Sequence, residues 1–78
     1  MPNPAFDQVQ VVYLRPVTQA PVATLYNLSG SAIADQIPLQ LKGGIYQIVF
    51  PVWNLPHGHY FVQVLDGPRV RRIRFVKR

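Results

Sequence analysis

Polar and apolar residues alternate along most of this chain with a period of two, the spacing that places successive side chains on opposite faces of a β-strand. In Gln8 to Leu14, Val9, Val11 and Tyr13 alternate with Gln8 and Gln10 until Arg15-Pro16 interrupts the run. Val22 to Leu28, with Ala23 and Leu25 pointing inward, is followed by Ser29-Gly30 and a shorter run, Ser31 to Asp35. That pair reads as a hairpin. Gln36 to Leu41 sets Ile37, Leu39 and Leu41 against Gln36, Pro38 and Gln40, and its proline points to a sheet edge or a strand start. After Gly43-Gly44, the run Ile45 to Phe50 places Tyr46, Ile48 and Phe50 on one face. Beyond a connector through Trp53, His59 to Asp66 carries Tyr60, Val62 and Val64 inward. Gly67-Pro68 then turns into Arg69 to Val76, where Ile73 and Phe75 alternate with Arg72 and Arg74.

About seven short strands result, and no segment holds a helical period beyond one turn. Two packed antiparallel sheets are the economical way for such a chain to bury one face of each strand. With 78 residues the core is thin, burying only about 60% of the surface the unfolded chain exposes. There is no cysteine, so cohesion rests on sheet pairing and packing rather than on disulfides or thiolate metal sites. No apolar run is long enough for a membrane-spanning helix, and the first residues do not have the form of a secretory signal.

Charge changes the picture at one end. The formal net charge is +5, yet Arg69, Arg71, Arg72, Arg74, Lys77 and Arg78 carry six of the eight positive charges within the last ten residues. The remainder, Arg15 and Lys42 against Asp7, Asp35 and Asp66, is close to neutral. A partner is therefore expected to meet the C-terminal end rather than the whole surface. This placement also argues against a nucleic-acid groove, as does the core-facing parity of Tyr46, Phe50 and Tyr60.

Catalytic material is sparse: three aspartates, two histidines, no glutamate and no cysteine, with no spacing that suggests a triad or a carboxylate pair. His57 and His59 form a His-x-His pair, read as ordinary loop residues because no further ligand stands nearby in sequence. Neither a metal nor a cofactor is expected. Trp53 is expected to cover the open end of the core.

Four short motifs occur in order: Pro2-Asn3-Pro4-Ala5, Leu25-Tyr26-Asn27-Leu28-Ser29-Gly30, Leu55-Pro56-x-Gly58-x-Tyr60-Phe61-Val62, and the basic close Arg72 to Lys77. Together they resemble the type IX secretion C-terminal sorting domain at the end of many Bacteroidetes-type cargo proteins. The chain departs from that pattern in having Met1 where an aromatic usually precedes Pro-Asn-Pro, and Ser31 where a basic residue often follows the hairpin glycine. The fold expected is all-β, an immunoglobulin-like antiparallel sandwich. Residues 1–78 are expected to form a single sorting domain from the end of a larger secreted protein, with Met1 an added initiator.

The resemblance implies a non-catalytic signal that directs cargo across the outer membrane. Its implied partners are the translocon, the shuttle and sortase-like components, and the cargo domain before it. A sortase-like peptidase commonly removes the signal at the surface. The route implied runs through the periplasm to the cell surface or the medium. Sorting residues are expected at Pro2, Asn3, Pro4, Gly58, Tyr60, Arg72, Arg74, Val76, Lys77 and Arg78. Pro2 and Pro4 stiffen the lead-in to the first strand. Gly58 is expected either to take a positive φ or to let another strand approach closely, and Tyr60 to bury its ring with the hydroxyl near the rim. Arg72, Arg74, Lys77 and Arg78 are expected to face solvent, where a receptor reads them by charge and by pairing with an edge strand. An exposed edge also offers a route to weak self-association. The competing reading is a surface adhesin or carbohydrate-binding sandwich with Trp53 and Tyr26 as sugar platforms.

Overall fold

A computed structural model describes the backbone of Pro4 and Ala5 and residues 7–14 and 19–78. Eight strands form: β1 (Pro4–Ala5), β2 (Gln8–Tyr13), β3 (Val22–Asn27), β4 (Ala32–Pro38), β5 (Gln40–Lys42), β6 (Ile45–Pro51), β7 (Gly58–Asp66) and β8 (Arg69–Lys77). They make a five-stranded sheet, β1-β8-β7-β3-β4, and a three-stranded sheet, β2-β6-β5. All pairs are antiparallel except β1 with β8, where Pro4 lies beside Val76 and Ala5 beside Lys77.

The core lies between the sheets, because period-two alternation gives each one an apolar face that only the other can cover. The larger sheet contributes the rows Ala23–Val64, Leu25–Val62–Ile73 and Tyr60–Phe75, set by the registers of β3, β7 and β8. From the smaller sheet come Val9–Phe50, Val11–Ile48 and Tyr13–Tyr46. The inward parities expected for these strands are those observed.

Two expectations need correction. Gln36 to Leu41 is not one strand with Ile37, Leu39 and Leu41 on a shared face. The chain leaves one sheet at Pro38 and joins the other at Gln40, with Leu39 buried at the crossing and its N–H donating to the Pro21 carbonyl at 2.9 Å. Ile37 and Leu41 are exposed on either side of this pivot. Nor does Trp53 cover the core, since it is 70% exposed. The turn closed by Leu55 N–H to the Val52 carbonyl at 3.0 Å sends Val52 and Leu55 inward and leaves Trp53 at the outer corner.

The edge strand β4 is irregular. Its pairing with β3 shifts between Ala23 and Leu25, where Gln36 takes a left-handed φ of 49°. Buried Thr24 pins the irregularity: its hydroxyl accepts from Gln36 N–H at 3.0 Å and donates to Asp35 Oδ1 at 3.3 Å. Such a bulge bends an edge away from pairing with another chain. Gln36→Gly is expected to stabilise the domain by about 0.5 to 1 kcal/mol, because glycine meets no Cβ strain at positive φ. Thermal melting checks it, and a lowered midpoint would show that Gln36 is not strained.

Candidate functional site

The four sequence motifs converge on one end of the larger sheet. At the β3–β4 turn, Asn27 Oδ1 accepts from Ser29 Oγ at 2.8 Å and from Ser31 N–H at 2.9 Å, while Gly30 closes the turn at φ 90°. Asn27 lies beside Tyr60 in register, and Tyr60 beside Phe75. Gly58 pairs with Lys77 and His59 with Val76, whose other neighbours are Ala5 and Pro4 of β1. Pairing thus brings together segments that are far apart in sequence. Pro2 and Asn3 lie outside the described residues.

Gly58 has the expected positive φ, 149°, and nothing would obstruct a Cβ there. Its role is conformational. Tyr60 is 6% exposed, stacks on Phe75 with ring centroids 5.6 Å apart, and donates its hydroxyl to the Pro56 carbonyl at 2.6 Å. That bond ties the start of β7 to the loop before it. At the other end of β7, Tyr13 donates to Asp66 Oδ2 at 2.8 Å, linking the two sheets.

The basic residues divide by parity. Arg72 and Arg74 are exposed on the face turned away from the core, with half-buried Val76 on the same parity, and Arg78 is exposed beyond the strand. Lys77 does not face solvent as expected: it is 7% exposed. It continues the inward series Ile73, Phe75, Lys77, so its aliphatic stem packs while Nζ reaches the Arg78 carbonyl at 3.2 Å. The alternation that placed Ile73 and Phe75 inward already contained this signal. Lys77→Met, which keeps the stem, is expected to cost under about 1 kcal/mol. Lys77→Asp should cost about 2 to 3 kcal/mol. Urea denaturation separates the two, and equal effects would mean that the stem contributes nothing.

Reading by motif missed an outward cluster on the same sheet. Phe61 stacks on Tyr26 with centroids 4.9 Å apart and planes at 19°. Arg72 lies over the Phe61 ring at 6.0 Å and donates from Nε to Gln63 Oε1 at 3.1 Å. An aromatic at the solvent-facing parity of β7, opposite Arg74 in register, was the available clue. His57 and His59 are both exposed, and among the described residues no group of three or more His, Cys, Asp or Glu side chains comes together as a metal site requires.

A family model described as the secretion system C-terminal sorting domain matches residues 1–78. No curated protein matches the chain, and no solved structure matches it.

Proposed function

The chain belongs to the secretion system C-terminal sorting domain family, a family of non-catalytic signals, and from that premise we propose how this signal is built and read. Residues 1–78 act as one sorting domain that takes its cargo across the outer membrane through the type IX machinery. A sortase-like peptidase then removes or exchanges it, and the cargo reaches the cell surface or the medium.

The fold is read as immunoglobulin-like. Supporting this are the strand order β1-β8-β7-β3-β4 against β2-β6-β5 and the hydroxyl of Tyr60, which bonds the backbone four residues upstream as a tyrosine corner does. Recognition centres on the end where β1, the start of β7 and the end of β8 meet. The observation carrying this reading is that Val76 and Lys77 stand between Pro4-Ala5 on one side and Gly58-His59 on the other. Tyr60 and Gly58 build that end, Lys77 anchors it, and Arg72, Arg74 and Arg78 present charge to the machinery.

The test is to fuse the domain to a periplasm-targeted fluorescent protein in a bacterium with an active type IX system. Fluorescence at the surface or in the medium is expected, and it should disappear in a strain lacking the translocon and on deletion of Val76 to Arg78. Retention of the folded wild-type fusion in the periplasm would overturn the reading.

A further inference from the structure

We propose that the outward face of β3, β7 and β8 is a docking surface for an acidic polypeptide segment, with Arg72 and Arg74 as its charged contacts. The inference deepens the sorting reading and rests on it. Outward faces of sandwich strands are ordinarily polar. This one is mixed: Tyr26 and Phe61 stack at its centre, Arg72 and Arg74 project next to them, and Val70 is exposed further along β8, opposite Leu65.

One guanidinium is held in place before any partner arrives. Arg72 is fixed from below by the Phe61 ring and from the side by Gln63. An ordered guanidinium loses less conformational freedom on pairing with a carboxylate, and its planar fork suits two parallel hydrogen bonds. Arg74, two residues on, points the same way, which separates the two side chains by about 7 Å along the strand. Carboxylates at alternate positions of an extended segment have that same spacing. Leu28, Phe61, Arg72 and Arg74 line a groove of about 380 Å³ between them, with room for an apolar residue between the acids. The two acids on this sheet are engaged elsewhere: Asp66, at the end of β7, accepts from Tyr13, and Asp35, on the edge strand β4, accepts from Thr24.

The geometry selects polypeptide over nucleic acid. β3 and β8 flank β7 on opposite sides, so Tyr26 covers one face of Phe61 and Arg72 the other. No free face of Phe61 is left for a base to stack on, and such stacking carries single-strand binding. Mixed apolar and arginine character is instead typical of protein interfaces.

The decisive comparison uses charge-matched doubles in the export fusion. R72Q/R74Q is expected to lower export at least tenfold with an unchanged melt, whereas R69Q/R71Q, on the opposite parity of the same strand, stays within twofold of wild type. Equal losses would assign the effect to net charge and overturn the proposal, as would full export of R72Q/R74Q. The free domain is also titrated with poly-L-glutamate and with oligothymidylate, followed by amide chemical shifts. Shifts confined to Phe61, Gln63 and their neighbours are expected with poly-L-glutamate, fading with added salt and at least tenfold weaker in R72Q/R74Q. Oligothymidylate binding this face as tightly would overturn the proposal. Failure of the wild-type fusion to leave the periplasm would count against the sorting reading, and the titration then decides the surface by itself.

Discussion

Tyr60→Ala is expected to remove between about a quarter and all of the domain's stability at 25 °C. The ring is buried against Phe75, and its hydroxyl is bonded to the Pro56 carbonyl. Removing so large a buried aromatic costs about 3 to 5 kcal/mol. At the usual 0.05 to 0.15 kcal/mol per residue, a domain of this size has only about 4 to 12 kcal/mol to lose. The truncation therefore removes a large share of the total. Tyr60→Phe keeps the ring and gives up one hydrogen bond, at about 1 kcal/mol. Urea denaturation followed by circular dichroism ranks the two. A folded Tyr60→Ala with a near-native midpoint would show that the ring is not part of the core. Export should follow stability, so that Tyr60→Phe is secreted close to the wild-type level and Tyr60→Ala far less.

Phe75→Ala is expected to cost a similar amount, about 3 to 5 kcal/mol, with damage concentrated at the recognition end. Phe75 is 4% exposed and immediately precedes Val76 and Lys77, the two residues on which β1 docks. With its anchor removed, the last residues of β8 have little to hold them against the core, and the parallel contact to β1 depends on them. Hydrogen exchange should show protection lost first at Val76 and Lys77 and retained longer at Val62 and Val64. Uniform loss along β7 and β8 would mean that the end is not an independent unit. The pair Tyr60→Leu and Phe75→Leu, each of which removes one ring, should couple by about 0.5 to 1 kcal/mol, because the two rings stack across neighbouring strands.

These expectations alter what the motifs mean. Asn27, Gly30, Gly58 and Tyr60 are conspicuous in sequence because a turn, a positive φ or a buried ring needs them. They build the end of the sheet where recognition is proposed, and substituting them would disturb export through folding. Arg72 and Arg74, the side chains offered to a partner, stand out as part of the basic close, whereas those that hold Arg72 in place do not. Phe61 and Gln63 belong to no charge run, and their association with Arg72 depends on β7 and β8 being neighbours.

Most of the strands, their inward faces and the hairpin turns are legible in the sequence, because period-two alternation and turn-forming residues act within a few positions; β1 and the division of residues 36–41 between two sheets are not. The position of the charge and, through the ordered motifs, the family are legible there too. Which strands meet is settled by the packed fold. The parallel contact of Pro4 and Ala5 with Val76 and Lys77, the crossing at Leu39 and the outward turn of Trp53 all depend on how distant segments are brought together. So does the burial of Lys77 in a strand whose other cations face water. Local patterning sets which way a side chain points along its own strand, whereas what it meets there is supplied by a segment elsewhere in the chain.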